Sequence, residues 1–349
     1  MGKPQHDRRT QFFLKAREFT PIMTASSADL SFFISTEDGA VGQVLFVKGS
    51  RSEFRVLKRT VAILHKAGLA DALADRVFLD VGANIGTSCL SALRLHGFGS
   101  AIACEPEPRN YRLLGLNAVF QGVEHRLRAL PVAVSDTNGH VDLVVNANKS
   151  GSHHLPTGDG PVQAGKSYIS VEAVTLDSLV ERGVMDPAKV ALLWADVQGA
   201  EGRMIAGASS LVAEGVPILF ELHPGMIGRV GGFDRLLDSI SSSYSHYVDL
   251  RQSHDKGAVP LRDVSTFKGF AKSLANARRF SDVMVMRLER DTARKLMSAS
   301  GERRSQPTSA LPRRRPVGRR SQSLDSPRAL DEAAGRGPLA SPGAPGSAR

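Results

Sequence analysis

The residues with the clearest chemical potential lie between positions 77 and 105. Val77, Phe78, Leu79 and Val81 form a short apolar run broken by one acid, Asp80. Gly82, Ala83, Asn84, Ile85 and Gly86 follow, and a helical pattern starts at Thr87. An apolar run of this kind, ending in a glycine turn, reads as a buried parallel strand that feeds a helix. Such a turn points backbone N–H groups and a helix N-terminus at a ligand. A dinucleotide turn would place a glycine at the middle position of G-x-G-x-x-G, and that glycine is missing. A P-loop would close on Gly-Lys-Ser/Thr, yet Gly86 is followed directly by Thr87. A carboxylate beside the turn repels phosphate and attracts a cation. The Asp80 pattern therefore favours S-adenosyl-L-methionine, with its ammonium and sulfonium and no phosphate, over NAD.

A second acid supports the same reading. Residues 100–104 form a second short strand that ends in Glu105-Pro106. An acid at the end of the second strand, roughly 20 residues past the glycine turn, can accept hydrogen bonds from both ribose hydroxyls. Ligands in open α/β sheets bind outside the carboxyl ends of the strands. That edge collects Asp80, Glu105, Ser135 with Asp136, Asp196, and Glu221 with His223. The expected cofactor contacts are Asp80, Gly82, Ala83, Asn84, Gly86, Glu105, Ser135 and Asp196. Asp196 closes the apolar strand Ala191-Leu192-Leu193-Trp194-Ala195, and a carboxylate in that place needs a partner. His223 could take a proton from an attacking hydroxyl, or serve only as a hydrogen-bonding group at a strand end. Asp196 and His223 are the expected acceptor-side pair. The adjacent His153 and His154 lack nearby acids and are poor joint metal ligands, so no metal is expected.

With these residues in view, the chain resembles the FkbM family of S-adenosylmethionine-dependent methyltransferases. The resemblance is carried by FLDVGANIGT, CEPEPRNYRLLGLN, TLDSLV, LLWADVQGAEGRMIAGA and ILFELHP, in that order, between about Asp38 and Arg287. It implies a Rossmann-like class I methyltransferase fold, with an antiparallel last strand and an N-terminal segment that helps cover the site. It also implies O-methylation of a hydroxyl on a sugar, glycan or small natural product. One block departs from the family pattern. Where the family reads Lys-hydrophobic-Asp-Val-Glu-Gly, this chain has Trp194, Ala195, Asp196, Val197, Gln198 and Gly199. Two charges of that block are absent here.

The elements that must position these residues follow from patterning. The chain has 349 residues, 42% of them hydrophobic, enough for one large domain with appendages. Asp38-Gly39 reads as the turn of a β-hairpin between 31–34 and 41–47. Residues 56–67 show helical spacing with Gly68 as a stop. Strands and helices then alternate up to a last strand at 283–288, which implies an α/β fold with a mostly parallel sheet and helices on both faces. Residues 140–145 and 169–174 read as added strands, and 146–166 as a mobile loop over the site. One helix is expected over 201–212. The expected division is an N-terminal extension and cap (1–72), a methyltransferase domain (73–290) and a tail rich in Arg, Pro, Gly and Ser (291–349) that cannot bury enough surface to fold.

Charge and cysteine content narrow the setting. Ten arginines against four acids between Gly301 and Arg349 supply six of the ten net positive charges. The basic character is therefore largely a property of the tail. Cys89 and Cys104 sit in no metal or redox spacing and read as small core residues. No apolar run approaches the length of a membrane span, and a cytoplasmic protein is expected. Three other functions compete. The basic tail suggests a nucleic-acid methyltransferase, but no Asn/Asp-Pro-Pro-Tyr stretch or Pro-Cys pair is present, and nucleic acid is disfavoured as a partner. Trp194 and Gln198 leave room for a non-catalytic binding protein. The missing middle glycine disfavours an NAD oxidoreductase. A small-molecule or glycan acceptor is the expected partner.

Overall fold

A computed structural model describes residues 3–27, 29–146, 148–156, 166–252 and 259–301. The N-terminal part comprises α1 (Lys3–Ala16), β1 (Ile22–Ser27), β2 (Leu30–Ser35), α2 (Val41–Lys48) and α3 (Ser52–Lys66). Then come β3 (Val77–Val81), α4 (Thr87–Leu95), β4 (Ser100–Cys104), α5 (Pro108–Gln121), β5 (Leu127–Leu130), β6 (Ala133–Val134), β7 (Gly139–Val145) and β8 (Ser167–Val174). The second half contains α6 (Leu176–Glu181), β9 (Val190–Ala195), α7 (Glu201–Ala206), α8 (Ser209–Glu214), β10 (Ile218–Leu222), α9 (Pro224–Val230) and α10 (Phe233–Ser243). It ends with β11 (His246–Asp249), β12 (Leu261–Asp263), α11 (Phe267–Asn276), β13 (Ser281–Met286) and α12 (Arg290–Gly301).

The main sheet has eight strands in the order β12-β11-β13-β10-β9-β3-β4-β5. The run from β10 through β9, β3 and β4 to β5 is parallel. As expected, β13 is antiparallel, inserted between β10 and β11. The chain winds outward from β3 in one direction and from β9 in the other, so the β3/β9 boundary is the topological switch point, where such sheets bind ligands. Every residue of β9 is buried, because helices cover both faces of the sheet. Leu192 and Trp194 pack on the face that also carries α3 and α4, and Leu193 and Ala195 pack on the opposite one. A separate three-stranded sheet, β6-β8-β7, carries the added strands.

The structure departs from the sequence-based expectations in four places. Residues 41–47 are helical, and β2 pairs instead with β1. The carboxylate of buried Asp38 accepts from Ala40 N at 2.9 Å and Gly42 N at 2.7 Å, which satisfies the first free donors of α2. The expected helix over 201–212 is two helices. At Gly207 the chain passes so close to the carbonyl of Ser135 that a Cβ would lie 2.4 Å from it. Residues 224–230 are an unanticipated helix, α9. Finally, α12 runs past the expected boundary at 290, with Ala293 and Leu296 buried in the core. Their spacing of three residues places both on one helical face. Most of the expected tail, 302–349, lies outside the described residues, as do 157–165 of the expected loop.

Candidate active site

The glycine turn is built by close backbone approach. Gly82 has φ +86°, and a Cβ on it would lie 2.1 Å from the Asp196 carbonyl oxygen. The N–H groups of Gly82 and Ala83 both donate to the Cys104 carbonyl, at 3.0 and 3.1 Å, tying the turn to the end of β4. Asn84 adopts φ +53°, which asparagine tolerates better than most residues. Gly86, at φ +91°, leaves room for Leu114 of α5, whose Cδ1 would lie 2.6 Å from a Cβ there.

Glu105 organises the next wall. Its carboxylate accepts from Asn84 N at 2.7 Å, Glu107 N at 2.9 Å and Asn110 Nδ2 at 3.4 Å. Burial nevertheless pushes its pKa up to about 7, against the pull of those donors. Asp196 sits where β9 ends, its N–H on the Val81 carbonyl at 3.0 Å. Gln198 Nε2 donates to Asp196 Oδ1 at 2.6 Å. Burial raises the Asp196 pKa to about 6, while the Gln198 bond opposes the rise. The loop after Asp196 is held by Glu201, which patterning missed. Its Oε1 accepts from Val197 N at 3.3 Å and Gly199 N at 3.4 Å, and its buried Oε2 has no partner. The only sequence trace of this role is an acid in the first turn of α7.

These walls enclose a cleft of about 890 Å³, part of it open to solvent. Gly82, Ala83, Asn84, Glu105 and Asp196 line it. Residues missed by patterning also line it: Val132 to Val134 and Leu143 form an apolar wall, and Arg51 and Glu53 come from the start of α3. The segment 150–155 supplies Ser150, Gly151, His153, His154 and Leu155. Asp38 anchors that segment: its Oδ2 accepts from Ser150 Oγ at 2.6 Å and its Oδ1 from Ser150 N at 3.1 Å. The Ser150 carbonyl in turn accepts from Asn84 Nδ2 at 3.0 Å. His153 Nδ1 accepts from Asn146 N at 3.1 Å, and burial lowers its pKa. Among the described residues, no group of three His, Cys, Asp or Glu side chains is placed to hold a metal ion.

Four of the expected residues stand back from the cleft surface. Gly86 packs against α5, as above. Asp80 is fully buried behind the turn; Oδ2 accepts from Cys89 N at 3.0 Å, and Oδ1 has no partner. Burial pushes its pKa up to about 7. Ser135 is buried too, with its N–H on the Val174 carbonyl and its hydroxyl on Asp136. His223 caps α9, its Nδ1 accepting from Met226 N at 3.2 Å, and its ring stacks on Phe280 at 5.5 Å between centroids. Neither Asp80, Ser135 nor His223 is among the cleft-lining residues.

The chain is similar to known proteins. The Methyltransferase FkbM domain matches residues 80–252. The chain is 30% identical over 184 residues to the 2-O-methyltransferase NoeI of Sinorhizobium fredii, a match covering 48% of this chain and 70% of that protein. Among solved structures, the O-methyltransferase from Bacillus cereus in complex with SAH is similar at 11% identity and a TM-score of 0.36, over 69% of this chain and 92% of that one. TYW2 of P. horikoshii in complex with MeSAdo is similar at 13% identity and a TM-score of 0.35, over 76% and 72% of the two chains.

The residues fit S-adenosylmethionine. The turn is closed to a Cβ at Gly82, and the carboxylates of Glu105 and Asp196 stand in the cleft at the ends of β4 and β9. On its motifs, its switch-point cleft and its kinship with NoeI, this chain belongs to the FkbM family of methyltransferases, with S-adenosylmethionine as cofactor.

Proposed function

We propose that the chain is an O-methyltransferase that methylates a hydroxyl of a sugar, glycan or small natural product. The observation that carries this reading is the position of Asp196. It lines the cofactor cleft and also a second, charged cavity next to it. S-adenosylmethionine supplies a methyl group made electrophilic by the sulfonium. The chain's own task is then mainly to align the acceptor oxygen with that methyl. In this reading the Gly82-to-Gly86 turn shapes the cleft floor and Glu105 accepts from the ribose hydroxyls. The apolar wall of Val132, Val134, Leu143 and Leu155 covers the base. Asp196, ionised above a pKa of about 6, accepts the hydroxyl proton. Asp80 and Ser135 support the turn and the apolar wall from behind. The kinship with a 2-O-methyltransferase supports a hydroxyl acceptor.

Two buried free cysteines agree with a reducing, cytoplasmic setting, and among the described residues no helix is long and apolar enough to cross a membrane. The nucleic-acid alternative rested on the tail arginines, which lie outside the described residues. Calorimetric titration with S-adenosylmethionine tests the cofactor assignment. Glu105→Ala should weaken binding by about 1.5–3 kcal/mol, the value of hydrogen bonds to a charged group. An unchanged affinity would remove Glu105 from the ribose, and no binding to the wild type would remove the reading itself.

A further inference from the structure

Beyond Asp196 the cleft continues into a second cavity of about 640 Å³, its open mouth included. The two spaces share Arg51, Glu53, Gly151, Trp194, Asp196 and Gln198. The far wall of the second is Glu221, Arg251 and Asp282. Strand register explains that wall: Glu221 of β10 is paired directly with Asp282 of β13. Two carboxylates placed opposite each other on antiparallel strands repel. Arg251 bridges them, with Nε 2.8 Å from Asp282 Oδ2 and Nη2 3.5 Å from Glu221 Oε1. Its guanidinium lies 3.8 Å from the centroid of Phe280, and Phe280 in turn stacks on His223. This ladder of planar groups holds Arg251 in place.

The hydrogen-bonding balance of the cavity is one-sided. Glu53, Asp196, Glu221 and Asp282 face Arg51 and Arg251, four carboxylates against two guanidiniums. Both guanidiniums are already engaged, Arg51 with Glu53 and Arg251 with Glu221 and Asp282. The capacity left over is mainly that of carboxylate lone pairs. A ligand here must donate hydrogen bonds, and a further negative charge would meet an excess of like charge. The protonation of the wall agrees with this crowding. Burial, reinforced by neighbouring carboxylates, pushes Glu221 up to about 8 and raises Asp282. With Glu221 protonated, the lining still carries more carboxylates than guanidiniums.

We propose that this second cavity is the acceptor subsite, and that it admits a neutral or amino sugar unit while excluding one that carries a carboxylate or phosphate. The proposal rests on the methyltransferase reading above and adds its acceptor class. Asp196 stands at the junction, where the donated methyl and the acceptor oxygen would meet. Glu221, Arg251 and Asp282 then select the acceptor without touching the cofactor.

The test uses the full chain saturated with S-adenosylhomocysteine and saturation-transfer NMR, which detects weak ligands. Methyl glucoside, glucosamine, glucuronate and glucose 6-phosphate are the probes. Methyl glucoside and glucosamine should bind, and glucuronate and glucose 6-phosphate should bind at least tenfold more weakly. Measured at pH 9, where Glu221 is ionised, Glu221→Gln should narrow that difference and leave the affinity for S-adenosylhomocysteine intact. If Glu221→Gln lost its cooperative melt, Asp282→Asn at the same wall would read the same quantity. Binding of all four sugars with equal affinity, or of none, would overturn the proposal. So would variants that leave the discrimination untouched. Failure of the wild type to bind S-adenosylhomocysteine would instead strike the cofactor reading, so the two failures are separable.

Discussion

Asp196 and His223 occupy the ends of neighbouring parallel strands, yet the structure gives them different surroundings. Asp196 faces two cavities and is bonded to Gln198. His223 turns back to cap α9 and stacks on Phe280. Asp196→Asn should lower turnover by about 10²–10⁴, the usual contribution of a general base. Because burial places the Asp196 pKa near 6, the wild-type rate should rise as pH increases through that value, where the carboxylate becomes able to accept a proton. The variant should lack that limb, and a pH–rate profile retaining it would assign the limb to another group. His223→Ala should cost about 0.5–2 kcal/mol of stability, as loss of a helix cap does. Its turnover at saturating acceptor should stay near the wild-type value. A large fall in turnover with an unchanged melt would return the histidine to the chemistry.

At the scale of elements, Asp38 links three of them. One carboxylate accepts from the first donors of α2 and from two donors of Ser150, and the carbonyl of Ser150 receives the side chain of Asn84 in the glycine turn. The Gly39 N–H on the Asn148 carbonyl, at 2.9 Å, adds a further tie. Segment 150–155, which covers the cofactor cleft, is therefore held at Ser150 by the N-terminal layer, in addition to the backbone bridge between His154 and Val144 of β7. Asp38→Asn would keep the shape but replace one acceptor oxygen by a donor, which would then face N–H groups. The cofactor should dissociate several-fold faster from this variant in stopped-flow measurements, with the melting temperature also lowered. An unchanged dissociation rate would show that the segment stays closed without Asp38.

For the molecule as a whole, the placement of α12 decides where the folded unit ends. Ala293 and Leu296 are 4% and 6% exposed and belong to the same core as β2, α3 and the β3–β9 region. A chain ending at Glu289 would leave that core uncovered, and burying one leucine side chain is worth about 1.5–3 kcal/mol. Such a chain should melt at a lower temperature than one ending at Gly301. The chain ending at Gly301 should match the full-length protein in melting and in cofactor affinity. Equal stability of the two shortened chains would show that α12 contributes no net stabilisation.

Much of the cofactor cleft was legible in the residues alone, because its first half is local. A buried strand, a glycine turn and a second-strand acid lie within roughly 30 residues, the span of one βαβ unit, and their order implies their proximity. Alternation of strands and helices likewise implied the sheet, its covered faces and the position of Asp196 at a strand end. What only the tertiary structure decided depends on contacts between distant segments. Periodicity tells which face of a helix is buried but not what lies opposite it. The pairing of β2 with β1, the delivery of Arg51 and Glu53 to the cleft, and the clamp from Asp38 to Ser150 are of that kind. Side-chain direction at strand ends is likewise undetermined by sequence. Asp80, Ser135 and His223 carry suitable chemistry at the right edge of the sheet, but neighbouring N–H groups draw Asp80 and His223 away from the cleft, and Ser135 bonds to Asp136. Glu221 and Asp282 line one cavity wall because antiparallel insertion of β13 set them side by side, which no local pattern records.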